Sequence, residues 1–338
     1  MSVILSDVFF CGSANMPDVD GSTTGGAINT AISTSFADLA STGTVNYYSS
    51  SGSDTAAIIT VTGRDAAGVL QTEAKTLTGT TAVVGSQSFE RLMKAVASGT
   101  AAVGDIAALS TATVVTGTAQ AGAAASSSAP ATITLASGAG ASVALGQVVR
   151  IVNNLPSGVN FQLRRIIAIT GDVISVNRDW GTVPTSATTY EVRTGMLLAI
   201  LPVQITQVRR LFYNVAADVA GGSSRVYYEK VFAGNSNASL ALTTASIIKQ
   251  VDPSAGTLDF ALETTLGGSG SAANRQTLPT GISSFSSGAA PQTISVQGTG
   301  NLAAASASPQ GIWLRLTLAA GTAAAKTSDT LRATGSST

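Results

Sequence analysis

Apolar and polar residues alternate along much of this chain in short runs closed by Gly, Asn, Pro or Ser. A period of two predicts strands that turn one face to a core. Leu258-Asp-Phe-Ala-Leu-Glu alternates cleanly and reads as a half-buried strand. Gly311-Ile-Trp-Leu-Arg-Leu-Thr-Leu places Ile312, Leu314, Leu316 and Leu318 on one face and Trp313, Arg315 and Thr317 on the other. Between residues 56 and 80, two β-patterned segments flank Arg64-Asp65-Ala66-Ala67-Gly68, a hairpin with its turn glycine in place. From Ala131 to Val192, five short β-runs separated by Gly, Asn and Pro turns predict a small barrel.

Other segments carry a different signal. Ala27 to Ala40 is compatible with a helix. Val83 to Ala97 has Phe89, Leu92, Met93 and Val96 at helical intervals, while its Ser, Gly and β-branched neighbours permit a strand from Ser88 onward, so its type stays open. Ala101 to Gly140 is nearly all Ala, Gly, Ser, Thr and Val, residues that bury little area each. That stretch reads as a linker or extended arm, with residues 101–128 ordered only against a partner. The end, Ala319 to Thr338, reads as strand ends and a loose tail. The expectation is an all-β chain with long Gly-, Ser- and Ala-rich loops: a β-sandwich portion over 1–112, an inserted small β-barrel module over 113–195, and the sandwich resuming over 196–338.

Aromatics are only 5% of the chain, yet they concentrate in Arg225-Val-Tyr-Tyr-Glu-Lys-Val-Phe-Ala-Gly-Asn-Ser-Asn. The pattern predicts a strand, a turn at Gly234 to Asn237 and a second strand from Ala238, with Arg225, Glu229 and Lys230 within reach of solvent or a neighbouring chain. Taken alone, the residues favour a core hairpin. The sharper alternative is a subunit seam with Arg209, Tyr227, Tyr228, Glu229 and Phe232 at the shared surface of a homo-oligomer, a trimer, because interfaces are enriched in aromatics and arginine.

Charge narrows the classes of function. Eighteen basic and eighteen acidic residues cancel, which argues against a direct nucleic-acid partner. With no histidine and one cysteine, Cys11, the chain can form no intrachain disulfide and has a poor inventory for metal or triad chemistry, so no catalytic, metal or cofactor residue is assigned. Cys11 reads as a small core residue. Asp18 and Asp20 invite a calcium loop, but no closing Glu follows Gly21, and turn chemistry is the better account. Arg209 and Arg210, the adjacent basic pair, are expected to meet acids such as Glu229 or Asp218. Trp180 reads as a lid on the barrel core, in preference to a sugar-stacking platform. No apolar run reaches membrane-spanning length and the N-terminus has no basic leader pattern, so a soluble protein made in a cytoplasm is expected, without a membrane partner.

Thr62-Gly-Arg-Asp-Ala-Ala-Gly, Glu73, Leu77-Thr-Gly-Thr-Thr and Ser88-Phe-Glu-Arg-Leu together resemble β-sandwich domains of tailed-bacteriophage structural proteins. Arg164-Arg-Ile-Ile, Gly171, Val176-Asn-Arg-Asp-Trp-Gly-Thr-Val-Pro and Tyr190-Glu-Val resemble a small β-module of phage tail, fibre and other virion proteins. The order Arg-x-Phe-Tyr, Tyr-Tyr-Glu-Lys-x-Phe, Asp-Pro-Ser, Trp-Leu-Arg-Leu is similar to head-associated and other virion proteins of tailed phages. The resemblance implies a non-enzymatic virion component, a capsid decoration or cement protein whose partners are its own copies and the major capsid or other virion proteins. A tail, neck, baseplate or receptor-binding fibre position is the alternative. A carbohydrate-active enzyme using Trp180 or Trp313 is the remote one.

Overall fold

The computed structural model describes residues 2–14, 26–154, 161–198, 204–213, 215, 217–218, 222–251, 253, 255–264, 270–294, 300–306, 309–323 and 329–337. The fold is all-β: strands and short 3-10 turns make up its regular structure, and the described residues contain no α-helix. The chain forms two compact units, Met1–Ile32 with Leu211–Thr338, and Ser33–Arg210. The boundaries expected at 112/113 and 195/196 do not coincide with these units; the chain passes between them near residues 32 and 210.

The chain opens with β1 (Val8–Ser13), which buries Cys11, and the short β2 (Ile28–Asn29) and β3 (Ile32–Ser33). The helix-compatible stretch from Ala27 is therefore not a helix. Asn29 Oδ1 accepts from the Ala31 N–H at 3.0 Å and Ser33 Oγ from the Ser35 N–H at 3.3 Å, local bonds that compete with a helical ladder.

The second unit continues with β4 (Val45–Ser49), β5 (Ala57–Arg64), β6 (Leu70–Thr76), β7 (Val83–Val84), β8 (Arg91–Gly99) and β9 (Ile106–Ser110). The predicted hairpin is β5–β6, with Gly68 at φ 78° in its turn, and the open element at 83–97 resolves as β7 and β8. The expected linker instead contains β9, a strand buried at every position. Ile106 and Ala108 enter one core, while Ala107 and Leu109 enter another. Small residues fit a strand covered on both sides, and they remove the alternation that would have marked it.

Next come β10 (Val115–Thr118), β11 (Ala121–Ala123), β12 (Thr132–Thr134), β13 (Val148–Asn154), β14 (Leu163–Thr170), β15 (Val173–Val176) and β16 (Thr188–Arg193), one seven-stranded sheet in the order β10-β16-β13-β14-β15-β12-β11. Its edges do not pair with each other, so the expected barrel is not closed. They are successive stretches of one segment, however, so the sheet curls round its own core. Ala119 N–H bonds Thr188 O on one side and Gln120 N–H bonds Thr134 O on the other. Trp180 is buried in that core and donates to Thr132 O at 2.9 Å, as a lid should. The chain then returns through β17 (Gly195–Leu198) and β18 (Gln207–Arg209). β17 pairs with β9 in the sheet β17-β9-β4-β7, and β18 with β8 in the sheet β3-β18-β8-β5-β6; the two sheets share a core that includes Tyr47, Ile59, Phe89, Leu92 and Met196.

The first unit is completed by β19 (Arg225–Asn235), β20 (Leu242–Val251), β21 (Thr257–Leu262), β22 (Gln292–Thr293), β23 (Gln310–Leu318) and β24 (Thr330–Ser337). Its sheets, β2-β1-β19-β23-β21 and β22-β20-β24, bury one apolar cluster that includes Tyr227, Val231, Ile247, Phe260 and Leu314. Two expectations change here. β19 and β20 are not a hairpin: β19 runs through Gly234 and pairs with β1 and β23, while β20 pairs with β22 and β24. The expected tail holds β24, a partner of β20.

Candidate functional site

Buried charged and aromatic side chains gather on both faces of β19, the central strand of its sheet. Alternation sends Tyr227, Val231 and Ala233 into the core beside Ile312, Leu314 and Leu316 of β23, and Tyr228 into a second cluster with Ala261, Ala272, Ile282 and Trp313. Register places Lys230 directly across from Trp313, and Trp313 across from Ala261 of β21. Glu263, just past β21, thereby reaches both.

Glu263 Oε1 lies 2.7 Å from Lys230 Nζ and accepts from Trp313 Nε1 at 2.7 Å. Lys230 also donates to Gly270 O at 2.9 Å, and its ammonium sits 5.0 Å from the Phe232 ring centre and 5.3 Å from that of Trp313. The lysine side chain is 0% exposed and the glutamate 3%. Gly311 and Gly270 make room for the carboxylate, since a Cβ at either position would overlap a Glu263 oxygen. Burial pulls the Lys230 amine below its ordinary range, and the bond to Glu263 and its charge oppose that pull.

On the other face, Glu229 and Arg275 approach to 3.7 Å with neither side chain exposed. Glu229 Oε1 accepts from the Phe212 N–H at 3.2 Å, at a residue whose φ of 51° is unusual for a non-glycine. Arg275 Nη1 donates to Tyr213 O at 2.6 Å, its guanidinium lies 5.7 Å from the Tyr227 ring centre, and its own carbonyl accepts from the Tyr228 N–H at 2.6 Å. At the rim, Arg315 pairs with Asp259 at 2.6 Å and covers Phe285, which meets the Tyr228 ring at 5.7 Å. These contacts bind β19 to segments far away in sequence, and charges buried this way are costly to separate.

The five seam candidates are thus interior side chains: Arg209 on β18 is 2% exposed, and on β19 Tyr227 is 1%, Tyr228 7%, Glu229 0% and Phe232 0% exposed. Expecting Glu229 and Lys230 near solvent fails because Arg275 and Glu263 arrive to neutralise them. Arg210 pairs with Asp38, not with Glu229 or Asp218, and donates to Leu92 O at 3.0 Å. Trp180 is 5% exposed and Trp313 0%, so neither offers a sugar a ring face. Asp18 and Asp20 lie outside the described residues.

A second set of charges fastens the curled module to its host sheet. Asp105, buried just before β9, pairs with Arg178 and with Arg164 at 2.9 Å, while Arg164 Nε donates to Asp179 O at 2.8 Å. Burial lowers both guanidinium groups to about 10. Glu191 is held between Arg150 and Arg193, each at 2.8 Å, and Arg193 also donates to Ser110 O at 2.7 Å. Glu263, Arg275 and Asp105 escaped sequence reasoning. Glu263 does close the alternating strand at Leu258, but Arg275 and Asp105 sit in Gly-, Ser- and Ala-rich stretches with no local signal.

No family, no curated protein and no solved structure matches this chain.

Proposed function

We propose that the chain is a non-enzymatic structural protein of a tailed-phage virion, a capsid decoration or cement protein that binds and stabilises the head shell. The observation that carries this is the use made of the Lys230–Glu263 pair: these charges are sealed against the sheet, where they hold strands and loops in place. All-β units whose charges brace their interiors suit work by surface contact. Many copies on a symmetric shell then add weak contacts into strong attachment. The sequence resemblance over roughly residues 55–105 and in the module between 113 and 195 points the same way.

A tail, neck, baseplate or fibre position is the second reading, favoured by the curled module. A module that leaves and re-enters between the paired strands β9 and β17 reaches another partner without disturbing its host sheets. Removing the gene from the phage that encodes it separates the two. A cement protein leaves heads that assemble but open at lower temperature; a tail or fibre protein leaves heads of normal stability and particles that fail to adsorb or to join. Heads and infectivity both unaffected would count against either reading.

A further inference from the structure

We propose that the free edge of β6 pairs with β6 of a second copy, antiparallel and about a two-fold axis. This inference stands apart from the virion reading. β6 ends the sheet β3-β18-β8-β5-β6, and its register with β5 runs unbroken from Ile58↔Thr76 to Arg64↔Leu70. The bonds from Leu77 N–H to Ala57 O and from Asp65 N–H to Val69 O show that odd-numbered positions face β5. The backbone groups of Thr72, Ala74 and Thr76 therefore point outward, and all three residues are exposed. Two other edges are covered: Ser286 bridges to Phe260 on β21, and Ala37 to Gly195 on β17. β6 is a long open edge without proline or bulge, and such an edge is a template for another strand; β24, a longer edge, pairs with β20 through two register shifts.

Charge selects the occupant and the register. Glu73 points inward, its oxygens held by Ser86 N–H at 2.8 Å, Ser86 Oγ at 2.9 Å and Tyr47 Oη at 3.0 Å. Lys75 lies 3.2 Å from it and is the more exposed of the two. Inward charges blunt an edge against unrelated strands. A second β6 centred on Ala74 opposite Ala74 instead sets Lys75 across from Glu73 on both sides of the axis, in the non-hydrogen-bonded pairs where side chains are closest. Sliding by two residues in either direction sets Glu73 against Glu73 or Lys75 against Lys75. The strand is self-complementary in one register and repelled in its neighbours.

The full-length chain tests this by sedimentation equilibrium, with circular dichroism on every variant. Wild type should be a dimer. Thr72→Pro removes an outward N–H, and Lys75→Glu places like charges across the axis; both should be folded monomers. Ala74→Cys should give a disulfide-linked dimer on mild oxidation, since a hydrogen-bonded pair sets its Cα atoms about 5.5 Å apart, within disulfide reach. If Thr72→Pro fails to fold, Lys75→Glu and Ala74→Cys decide. A monomeric wild type overturns the proposal, as does an oligomer that Lys75→Glu leaves intact or in which Ala74→Cys stays reduced.

Discussion

Leu109 and Gly195 are paired across β9 and β17 although the whole curled module lies between them in sequence. The next pair outward, Ser110 and Thr194, is joined by an N–H to carbonyl bond of 2.8 Å. The module's two ends thus leave from adjacent positions, the geometry that lets an insertion be tolerated in a sheet. It is also fastened, through Asp105 with Arg164 and Arg178, and through an apolar cluster in which Val148 and Leu163 meet Tyr48, Ala107 and Leu197.

Replacing residues 111–193 by Asn-Gly should close β9 and β17 as a tight hairpin and leave a folded β-protein. Its thermal midpoint should fall, because Leu109 and Tyr48 lose their cover. Circular dichroism during heating checks this; a product without a cooperative transition would show that the host sheets need the module.

Lys230→Met should destabilise the chain by roughly 3–5 kcal/mol, since Glu263 is left charged with its cation gone. Adding Glu263→Gln should recover most of that loss, because the acceptor for Trp313 survives and the stranded charge does not. Urea unfolding of wild type, single and double variants measures the coupling; a double variant no better than the single would dismiss the buried pair as its cause.

Tyr228→Ala should lower stability by roughly 3–5 kcal/mol, the scale of a large side chain lost from a core. Its ring meets Phe285 inside one chain, so the loss belongs to folding and not to association. Light scattering with urea unfolding tells these apart: unchanged stability with altered oligomeric state would restore the seam.

The strand pattern was legible where one face is buried and the other is not. β5, β6 and β23 announce themselves by alternation, and the two faces read for Ile312 to Leu318 are those observed. It failed where both faces are covered, as at β9, whose Ala and Leu positions look like linker composition. It failed again at Glu229 and Lys230, because nothing local says that Arg275 and Glu263 will close over them. Nor does sequence reveal that β19 pairs with β1 and β23, and not with the strand that follows it.

Stability should depend on pH through Glu73. Burial alone would raise its carboxyl, but bonds from Ser86, Lys75 and Tyr47 outweigh that and hold it below its ordinary value of 4.5. A depressed acid stabilises the fold fully above its unfolded value and loses that contribution as pH falls through its folded one. Wild type should therefore exceed Glu73→Gln in unfolding free energy at pH 7, with the gap closing below about pH 4.5. A gap that is constant down to pH 3 would mean the carboxylate's charge contributes nothing.

The virion assignment is tested most directly by locating the chain on particles. Phage banded in a density gradient from the strain that encodes it should contain the intact chain by peptide mass spectrometry, in many copies per particle, with gold-labelled antibody distributed over the head. Label confined to the tail would move the protein to its second position. Banded, infectious particles that lack the chain altogether would contradict the account.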